Sequence, residues 1–186
     1  MLLFVGLGNP TPDSENNRHN IGFKIIDAIN QKFSLSKQKP KFKGLLTTGN
    51  INGQKVYAIK PLTFMNNSGV CIRELIEYFK IDSDNVIVFH DDLDIDFGKI
   101  KTKFGGSSAG HNGIESIDKF ISKDYSRVRI GIGKPKSNTD VNDHVLKDFD
   151  EEEIQELGII IKNMINSLDI LIDKKLDLFS STVNNK

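Results

Sequence analysis

Three asparagines of this sequence, Asn9, Asn66 and Asn112, each stand beside a turn or at the start of a helical pattern. An asparagine side chain both donates and accepts hydrogen bonds, so three converging amides could bind an amide-containing substrate and stabilise an oxyanion. The spacing therefore favours a site for acyl chemistry, provided that the fold brings these three segments together.

Carboxylates are concentrated in His90-Asp-Asp-Leu-Asp-Ile-Asp96, directly after a short apolar run typical of a buried strand. Open α/β sheets place their sites at such strand ends. A calcium loop starting at Asp92 would need glycine sixth and glutamate twelfth, but Phe97 and Lys103 stand there. A magnesium-dependent phosphohydrolase needs only one or two carboxylates, so this function remains an alternative. The other use of such a carboxylate is to orient a histidine and stabilise its protonated form.

Four histidines could pair with such an acid. His90 is expected to point into the strand, His111 opens a helix, and His144 lies in a polar stretch without a clear pattern. His19 lies in a polar loop, Asn16-Asn-Arg-His-Asn20, that enters a helix, so we expect it to face solvent or a cleft. The positive end of that helix disfavours a second cation, so His19 is predicted to be uncharged at rest.

Cations alternate with other residues in two segments: Lys99, Lys101 and Lys103 in the first, Arg127 and Arg129 in the second. In a strand, this spacing places the cations of each segment on one face. Two such strands would form a basic wall beside the glycine-rich loop, Gly105 to Gly113, suited to phosphates. The same alternation is found in any half-solvated strand, so the pattern alone leaves both interpretations open.

Two glycine clusters resemble nucleotide-binding loops but lack their other requirements. In Gly6-Leu-Gly-Asn-Pro10, the third glycine position of a dinucleotide fingerprint is Thr11, and Asp27 lies within a helical stripe instead of at a strand end. The cluster at residues 105–112 has phosphate-loop spacing but offers His-Asn where Lys-Ser/Thr should bind phosphate and Mg²⁺. Nucleotide binding is therefore disfavoured at both.

Length and composition predict one domain over residues 1–186. The 25 lysines and arginines balance 25 aspartates and glutamates, so a nucleic-acid partner would need a local basic patch. Cys71 is the only cysteine, which excludes an internal disulfide and suits a reducing compartment. The apolar segment Met1–Val5 is too short for a signal or a membrane span. We therefore expect a cytoplasmic protein.

Strand and helix patterns alternate along the chain, with one hairpin at Asn52-Gly53. They predict a single-domain α/β fold, a three-layer sandwich with a twisted mixed β-sheet flanked by helices. Asp150 and Glu153 form a capping signature for a long helix. The C-terminal residues 180–186 are predicted to be a flexible tail.

Five motifs follow one another over residues 1–180. They are Gly6-Leu-Gly-Asn-Pro10 with Arg18-His-Asn-Ile-Gly22, Pro61-Leu-Thr-Phe-Met-Asn66 with Ser68-Gly69, His90-Asp-Asp-Leu-Asp94, Gly110-His-Asn-Gly113 and Arg129-Ile-Gly-Ile-Gly133. In order and spacing they resemble the bacterial peptidyl-tRNA hydrolases. The resemblance implies a phosphorylase/hydrolase-like sandwich that hydrolyses the ester between a peptide and the 3′-terminal ribose of tRNA, recycling tRNA from stalled translation. It implies no metal or organic cofactor, no membrane and no obligate protein partner, and a monomer.

By this resemblance His19 is the general base that takes a proton from water, and Asp91 holds and polarises it. Asn9 completes the catalytic set by hydrogen-bonding the peptide and helping to separate blocked from free aminoacyl ends. Residues 134–149 would form a mobile lid over the cleft. The implied substrate- and tRNA-binding residues are Phe64, Met65, Asn66, His111, Asn112, Lys101, Lys103, Arg129 and Ser14.

Two positions depart from the family pattern: Thr11 replaces a glycine and Ser14 a tyrosine, which removes an aromatic contact to the tRNA end. Neither change affects the residues implied for ester hydrolysis. Two other functions remain as alternatives. One is a non-catalytic RNA-binding relative, disfavoured because His19, Asp91 and the three asparagines are all present. The other is the magnesium-dependent phosphohydrolase, using the acids at residues 91–96.

Overall fold

The computed structural model describes residues 1–135 and 140–186. Its sheet has seven strands in the order β2-β3-β4-β1-β5-β7-β6. The central strands β4, β1, β5 and β7 are parallel, and β2, β3 and β6 pair antiparallel at the two sides. The strands are β1 (Leu2–Gly6), β2 (Lys39–Lys41), β3 (Gly44–Ile51), β4 (Gln54–Pro61), β5 (Val86–Asp92), β6 (Ile100–Phe104) and β7 (Ser126–Gly131).

Helices cover both faces of this sheet, which confirms the predicted sandwich. Alternate residues of β1 serve the two cores: Leu2 and Phe4 pack in one, Leu3 and Val5 in the other. Every residue of this strand is therefore buried, as expected for a central parallel strand. The helices are α1 (Ile21–Lys32), α2 (Ser68–Phe79), α3 (Asn112–Phe120), α4 (Val141–Val145), α5 (Glu151–Asn166), α6 (Leu168–Ile172) and α7 (Leu176–Asn184). Helices α2 and α3 cover one face, and α1, α5, α6 and α7 the other.

The start of α1 lies directly against the ends of β1 and β5. A Cβ atom on Gly22 would be 2.3 Å from Leu7 N and 2.6 Å from Phe89 O. Only glycine allows this approach, because backbone atoms cannot move aside as a flexible side chain can. The contact fixes the turn just before α1, which carries His19, beside the end of β5.

The predicted flexible tail is wrong for residues 180–184, which form the end of α7. Phe179 and Val183 are four residues apart and both buried, so this face of the helix is part of the core. The side chain of Asn184 accepts from Ile100 N at 2.9 Å and donates to Ile100 O at 2.8 Å. It therefore satisfies backbone groups at the beginning of β6.

The predicted lid at residues 134–149 falls partly outside the described residues, which omit 136–139. Its described C-terminal part, residues 140–149, contains α4 and is called the rim below. Among the described residues, no helix is long and apolar enough to cross a membrane.

Candidate active site

The segments that follow β1, β4 and β5 meet the beginning of α3 at the carboxyl end of the parallel strands. Asp91 lies at the end of β5, and His19 lies in a short 3₁₀ turn, Arg18–Asn20, before α1. His111 is the N-cap residue of α3. The fold thus brings together side chains that are 72 and 20 residues apart in the chain.

His19 and Asp91 form a buried pair. Nδ1 of His19 lies 2.8 Å from Oδ2 and 3.0 Å from Oδ1 of Asp91. The two residues are only 9% and 2% exposed. An ionised carboxylate can only accept, so Nδ1 carries the proton and donates it. The lone pair of the neutral ring is then on Nε2, where it can take a proton from water.

His111 is bound to the same carboxylate from the other side. Its Nε2 lies 2.8 Å from Oδ1 of Asp91. Its Nδ1 accepts from the backbone N–H groups of Gly113 and Ile114, at 3.1 and 3.3 Å. Because Nδ1 accepts, Nε2 must be the protonated nitrogen that donates to Asp91. Both ring nitrogens of His111 are therefore bonded within the protein. In place of the predicted substrate contact, we assign His111 to the orientation of Asp91.

The charge of Asp91 controls the protonation of His19. Burial of the ring lowers the pKa of His19, but the carboxylate charge and the hydrogen bond to Asp91 raise it by more, so the pKa lies above 6.5. For Asp91, burial would raise the pKa, yet the charges and hydrogen bonds of His19 and His111 hold it well below its usual value. The helix start alone would lower the pKa of His19, whereas the carboxylate of Asp91 raises it, so the net direction is opposite to the one expected from the helix.

The cluster also offers three potential metal ligands. Ligand atoms of His19, Asp91 and His111 all lie within 4.8 Å of one another. A metal on Nε2 of His111 would require the proton to move to Nδ1, which already accepts from two backbone N–H groups. That tautomer would leave three N–H groups facing one another, so the cap of α3 disfavours a metal at His111.

Two other carboxylates of the His90–Asp96 segment, those of Asp92 and Asp94, are paired with cations or backbone. Asp92 Oδ2 accepts from Nε of Arg129 at 2.9 Å, and Asp92 Oδ1 from the backbone N–H of Asp94 at 2.8 Å. Asp94 also faces Lys134, with 3.3 Å between the charged atoms. Asp91, Asp92 and Asp94 are therefore each bound to different protein groups. This weakens the alternative in which they bind magnesium together.

Asn9 is held at both its side-chain oxygen and its backbone. Its Oδ1 accepts from Met65 N at 2.9 Å, so the planar amide must present its NH₂ group on the other side. The side chain of Asn20 accepts from Asn9 N at 2.8 Å and donates to Asn9 O at 2.9 Å. These two bonds fix the backbone of Asn9 beside the turn that carries His19.

Two cavities meet at this cluster, and His19, Asn112, Asn142 and Val145 line both. The smaller, of about 300 Å³, contains the amides, and its other lining residues are Asn9, Thr11, Ser14, Phe64, Met65, Asn66 and Leu146. The larger, of about 630 Å³, is bordered by the glycine-rich loop and by the cations Lys103, Arg127, Arg129 and Lys134. An amide-rich cleft and a cationic cleft thus share one histidine.

Phe64 and Met65 both line the smaller cavity. Phe64 is 55% exposed, whereas Met65 is 4% exposed. Phe64 has φ +60° and ψ +157°, a region essentially restricted to glycine, so its backbone is strained. The bond from Met65 N to Asn9 helps to hold this conformation, and strain of this kind is concentrated at functional sites.

The predicted basic wall is only partly correct. Lys101 and Lys103 are exposed on β6 and pair across the strands with Arg129 and Arg127. Lys103 and Arg129 line the larger cavity, whereas Lys101 lies outside it. Arg127 is 3% exposed and donates to Ser107 O at 2.8 Å and to Gly105 O. It therefore supports the glycine-rich loop from within the wall of the larger cavity.

The remaining sequence predictions are placed as follows. His90 is buried, and its Nδ1 donates to Asp91 O at 2.8 Å. Burial holds the pKa of His90 well below its usual value, so its ring stays neutral within the strand. Ser14 is 8% exposed, and its hydroxyl lies 2.7 Å from that of Thr11. The two residues that depart from the family pattern thus contact each other.

Sequence reasoning missed Asn20, Arg18 and Asn142. The first two flank His19, and Asn142 reaches both cavities from the rim. Asn20 looks locally like an ordinary N-cap of α1, and its side chain instead bonds the backbone of Asn9. Arg18 bonds to residues more than a hundred positions later in the chain, and Asn142 lies near His19 across a similar separation. No local sequence pattern connects such distant segments.

Comparisons with known proteins agree with one another. The family model for peptidyl-tRNA hydrolase matches residues 3–186. A Pelagibacter ubique peptidyl-tRNA hydrolase is 82% identical over 186 residues, 100% of both chains. One from Ehrlichia canis is 44% identical over 183 residues, 98% of this chain and 94% of its own. The crystal structure of the Acinetobacter baumannii peptidyl-tRNA hydrolase, 33% identical, matches with a TM-score of 0.92 over 99% of this chain and 94% of that one.

Proposed function

The chain belongs to the peptidyl-tRNA hydrolase family, and we propose that it cleaves the ester of peptidyl-tRNA by general-base catalysis, with His19 acting on water. Its products are the free peptide and a tRNA that can be used again in translation. The observation that carries the mechanism is the pair of Asp91 with Nδ1 of His19, because it leaves Nε2 of His19 as a base in a cavity lined by four asparagines.

The reaction takes place in two steps. Nε2 of His19 takes a proton from water as the water oxygen attacks the ester carbonyl carbon, and an oxyanion forms that the NH₂ groups of nearby asparagines stabilise. The intermediate then collapses, the bond to the ribose oxygen breaks, and the protonated His19 returns its proton to that oxygen. A positioned base contributes about 10²–10⁴-fold and one oxyanion donor about 10²–10³-fold. These factors suffice for an ester without a covalent nucleophile.

The two cavities divide the substrate between them. The smaller one, with Asn9 and Asn66, suits the acyl end, since amide groups can pair with the peptide carbonyl and N–H groups. The larger one, with Lys103 and Arg129, suits the ribose and the phosphates of the acceptor end. Asn112 lines both and lies where the ester joins these two parts.

The test compares two substrates that differ in one group: an N-acetylated aminoacyl-tRNA and the same aminoacyl-tRNA with a free amine. Rapid release of the acetylated amino acid, with much slower cleavage of the free form, is the expected result. Equal rates on both would contradict the assignment of the amide-rich cavity to the acyl end.

Two outcomes would favour the alternatives. Tight RNA binding without turnover would indicate the non-catalytic relative. Activity that EDTA abolishes and Mg²⁺ restores would indicate the metal phosphohydrolase. We expect neither, since Asp91 orients His19 with Nε2 towards the cleft and Asp91, Asp92 and Asp94 are each bound by protein groups.

Replacing Asn9 by aspartate tests its donor directly. The aspartate keeps an oxygen that accepts from Met65 N but has a second oxygen in place of the NH₂ group, which repels a substrate carbonyl. We expect kcat/KM to fall by about tenfold or more, because one hydrogen bond is lost and a repulsion is added. The measurement is initial-rate kinetics on acetylated aminoacyl-tRNA. Asn67→Asp, which adds the same charge outside both cavities, is the control, and a similar loss in both variants would count against Asn9.

Salt should act on binding more than on chemistry. Each phosphate contact releases counterions, so KM is expected to rise with salt while kcat changes little. Lys103→Ala should raise KM at low salt and reduce the slope of log KM against log salt by about 1. Lys55→Ala, at the far end of β4 from the cleft, should leave the slope unchanged. An unchanged slope in Lys103→Ala would remove this residue from the tRNA surface.

We further propose that the protein works in the cytoplasm as a monomer. Cys71 is a buried free thiol, which suits a reducing compartment. The site residues described above all come from one chain, so the mechanism needs no second copy. Light scattering at working concentration would measure the oligomeric state.

A further inference from the structure

Arg18 is held by contacts that all lie on one distant segment of the chain. Its guanidinium donates to Lys147 O at 3.1 Å and Asp148 O at 2.8 Å. It also donates to both carboxylate oxygens of Glu153, at 3.1 and 2.9 Å. Its Cζ lies 5.4 Å from the centre of the Phe149 ring. With 11% of its side chain exposed, Arg18 is committed almost wholly to this segment.

Backbone hydrogen bonds also join the segment around Arg18 to this distant segment. Arg18 N donates to Lys147 O at 3.0 Å, and Phe149 N donates to Asn16 O at 3.2 Å. Between these bonds, residues 17 and 148 pair as an isolated antiparallel bridge. We call residues 16–18 and 147–149, together with Glu153, the clasp.

Glu153 fixes the orientation of the guanidinium. Its Oε2 also accepts from Asp150 N at 2.9 Å, and Asp150 Oδ1 accepts from Glu153 N at 2.8 Å. These bonds form the capping box that begins α5. The carboxylate held by the helix start accepts from one terminal nitrogen of the guanidinium, while the other terminal nitrogen donates to the two backbone carbonyls. A lysine has only one nitrogen and cannot reproduce this arrangement.

The clasp connects the catalytic histidine to the rim. On one side, Arg18 directly precedes His19. On the other, the clasp follows α4 without a break, and Asn142, Val145 and Leu146 of the rim line the cavities around His19. The distance from the rim to Nε2 of His19 therefore depends on the clasp.

We propose that Arg18 is a positioning residue of this reaction, which holds the rim over the cleft at the distance that a bound acyl-tRNA requires. The inference rests on the proposed function, since it assigns the rim to substrate binding. Asp91 binds Nδ1 of His19 without help from Arg18. Loss of the clasp therefore weakens substrate binding and leaves the base in place.

The test is Arg18→Met, which removes the charge and the donors but keeps an unbranched apolar stem of similar length. We expect KM for acetylated aminoacyl-tRNA to rise by about tenfold, with a smaller change in kcat. The acid limb of the pH–rate profile should stay where it is. Amide hydrogen exchange at residues 141–149 should become faster in the absence of substrate. Arg18→Lys, which can reach fewer of the acceptors, should give a smaller rise in KM.

Arg73→Met is the matched control. It also removes an arginine–glutamate pair, Arg73 Nε to Glu77 Oε1 at 2.9 Å, but on exposed α2 residues that line neither cavity. Its KM and rim exchange should equal those of the unmodified protein.

An unchanged KM, unchanged rim exchange or a shifted acid limb in Arg18→Met would each overturn the inference. If Arg18→Met does not fold, the same readouts in Arg18→Lys decide. Hydrogen exchange needs no turnover, so it tests the clasp even if the two-substrate assay contradicts the proposed function.

Discussion

Replacing His19 by alanine is expected to lower kcat by about 10²–10⁴-fold, the contribution of a positioned general base. KM should change little, because the amide and cation groups that bind substrate stay in place. The measurement is single-turnover cleavage of acetylated aminoacyl-tRNA, with the thermal unfolding midpoint recorded to show that the variant folds.

His19→Asn separates the base from the hydrogen bond. Its amide NH₂ can take the place of Nδ1 and donate to Asp91, yet asparagine cannot accept a proton from water. We therefore expect the same loss as in the alanine variant. Full activity in His19→Ala would reject general-base catalysis by this residue, and full activity in His19→Asn alone would mean that orienting the water is sufficient.

Replacing Asp91 by asparagine is expected to have an effect of similar size, for a reason that involves His111. Nε2 of His111 must donate, because its Nδ1 caps α3, so the amide oxygen of the introduced asparagine will turn towards His111. The NH₂ group then faces Nδ1 of His19 and forces that nitrogen to accept. The proton of His19 moves to Nε2, which is the wrong tautomer for a base, and the loss can reach about 10⁴-fold.

Asp91→Ala is the informative comparison. Alanine removes the orienting oxygen but imposes no tautomer, so a fraction of His19 keeps Nε2 free. The alanine variant should therefore be more active than the asparagine variant, although it removes more atoms. The opposite order in kcat/KM would contradict the tautomer argument.

The pH profile gives a second measurement on the same variants. The pKa of His19 is raised above 6.5, and only the neutral ring is a base, so kcat/KM of the free enzyme should rise with pH through an acid limb above pH 6.5. Removing the carboxylate leaves burial, which lowers the pKa of His19, as the main influence on it. The acid limb of Asp91→Ala should therefore lie at lower pH than that of the unmodified enzyme. A limb that does not move would show that another group controls the profile.

Local patterns determined much of this protein. The apolar run at residues 2–7 predicts a buried strand, and the spacing of Ile21, Ile25 and Ile29 predicts a helix, because burial on a sheet or helix face repeats with a fixed period. Asp150 with Glu153 predicts a helix start for a similar reason, since a capping box spans only four residues. The ordered motifs indicated the chemistry, and the resemblance that they carry implied that His19 is the base.

Only the tertiary structure decided how these groups work. The protonated nitrogen of His19 depends on Asp91, and the orientation of Asp91 depends on the cap made by His111. Arg127 supports the glycine-rich loop and Arg18 takes part in the clasp because both donate to backbone carbonyls of loops that are remote in sequence. Hydrogen bonds depend on distance and direction between atoms, whereas sequence periodicity reports only which face of an element a residue occupies.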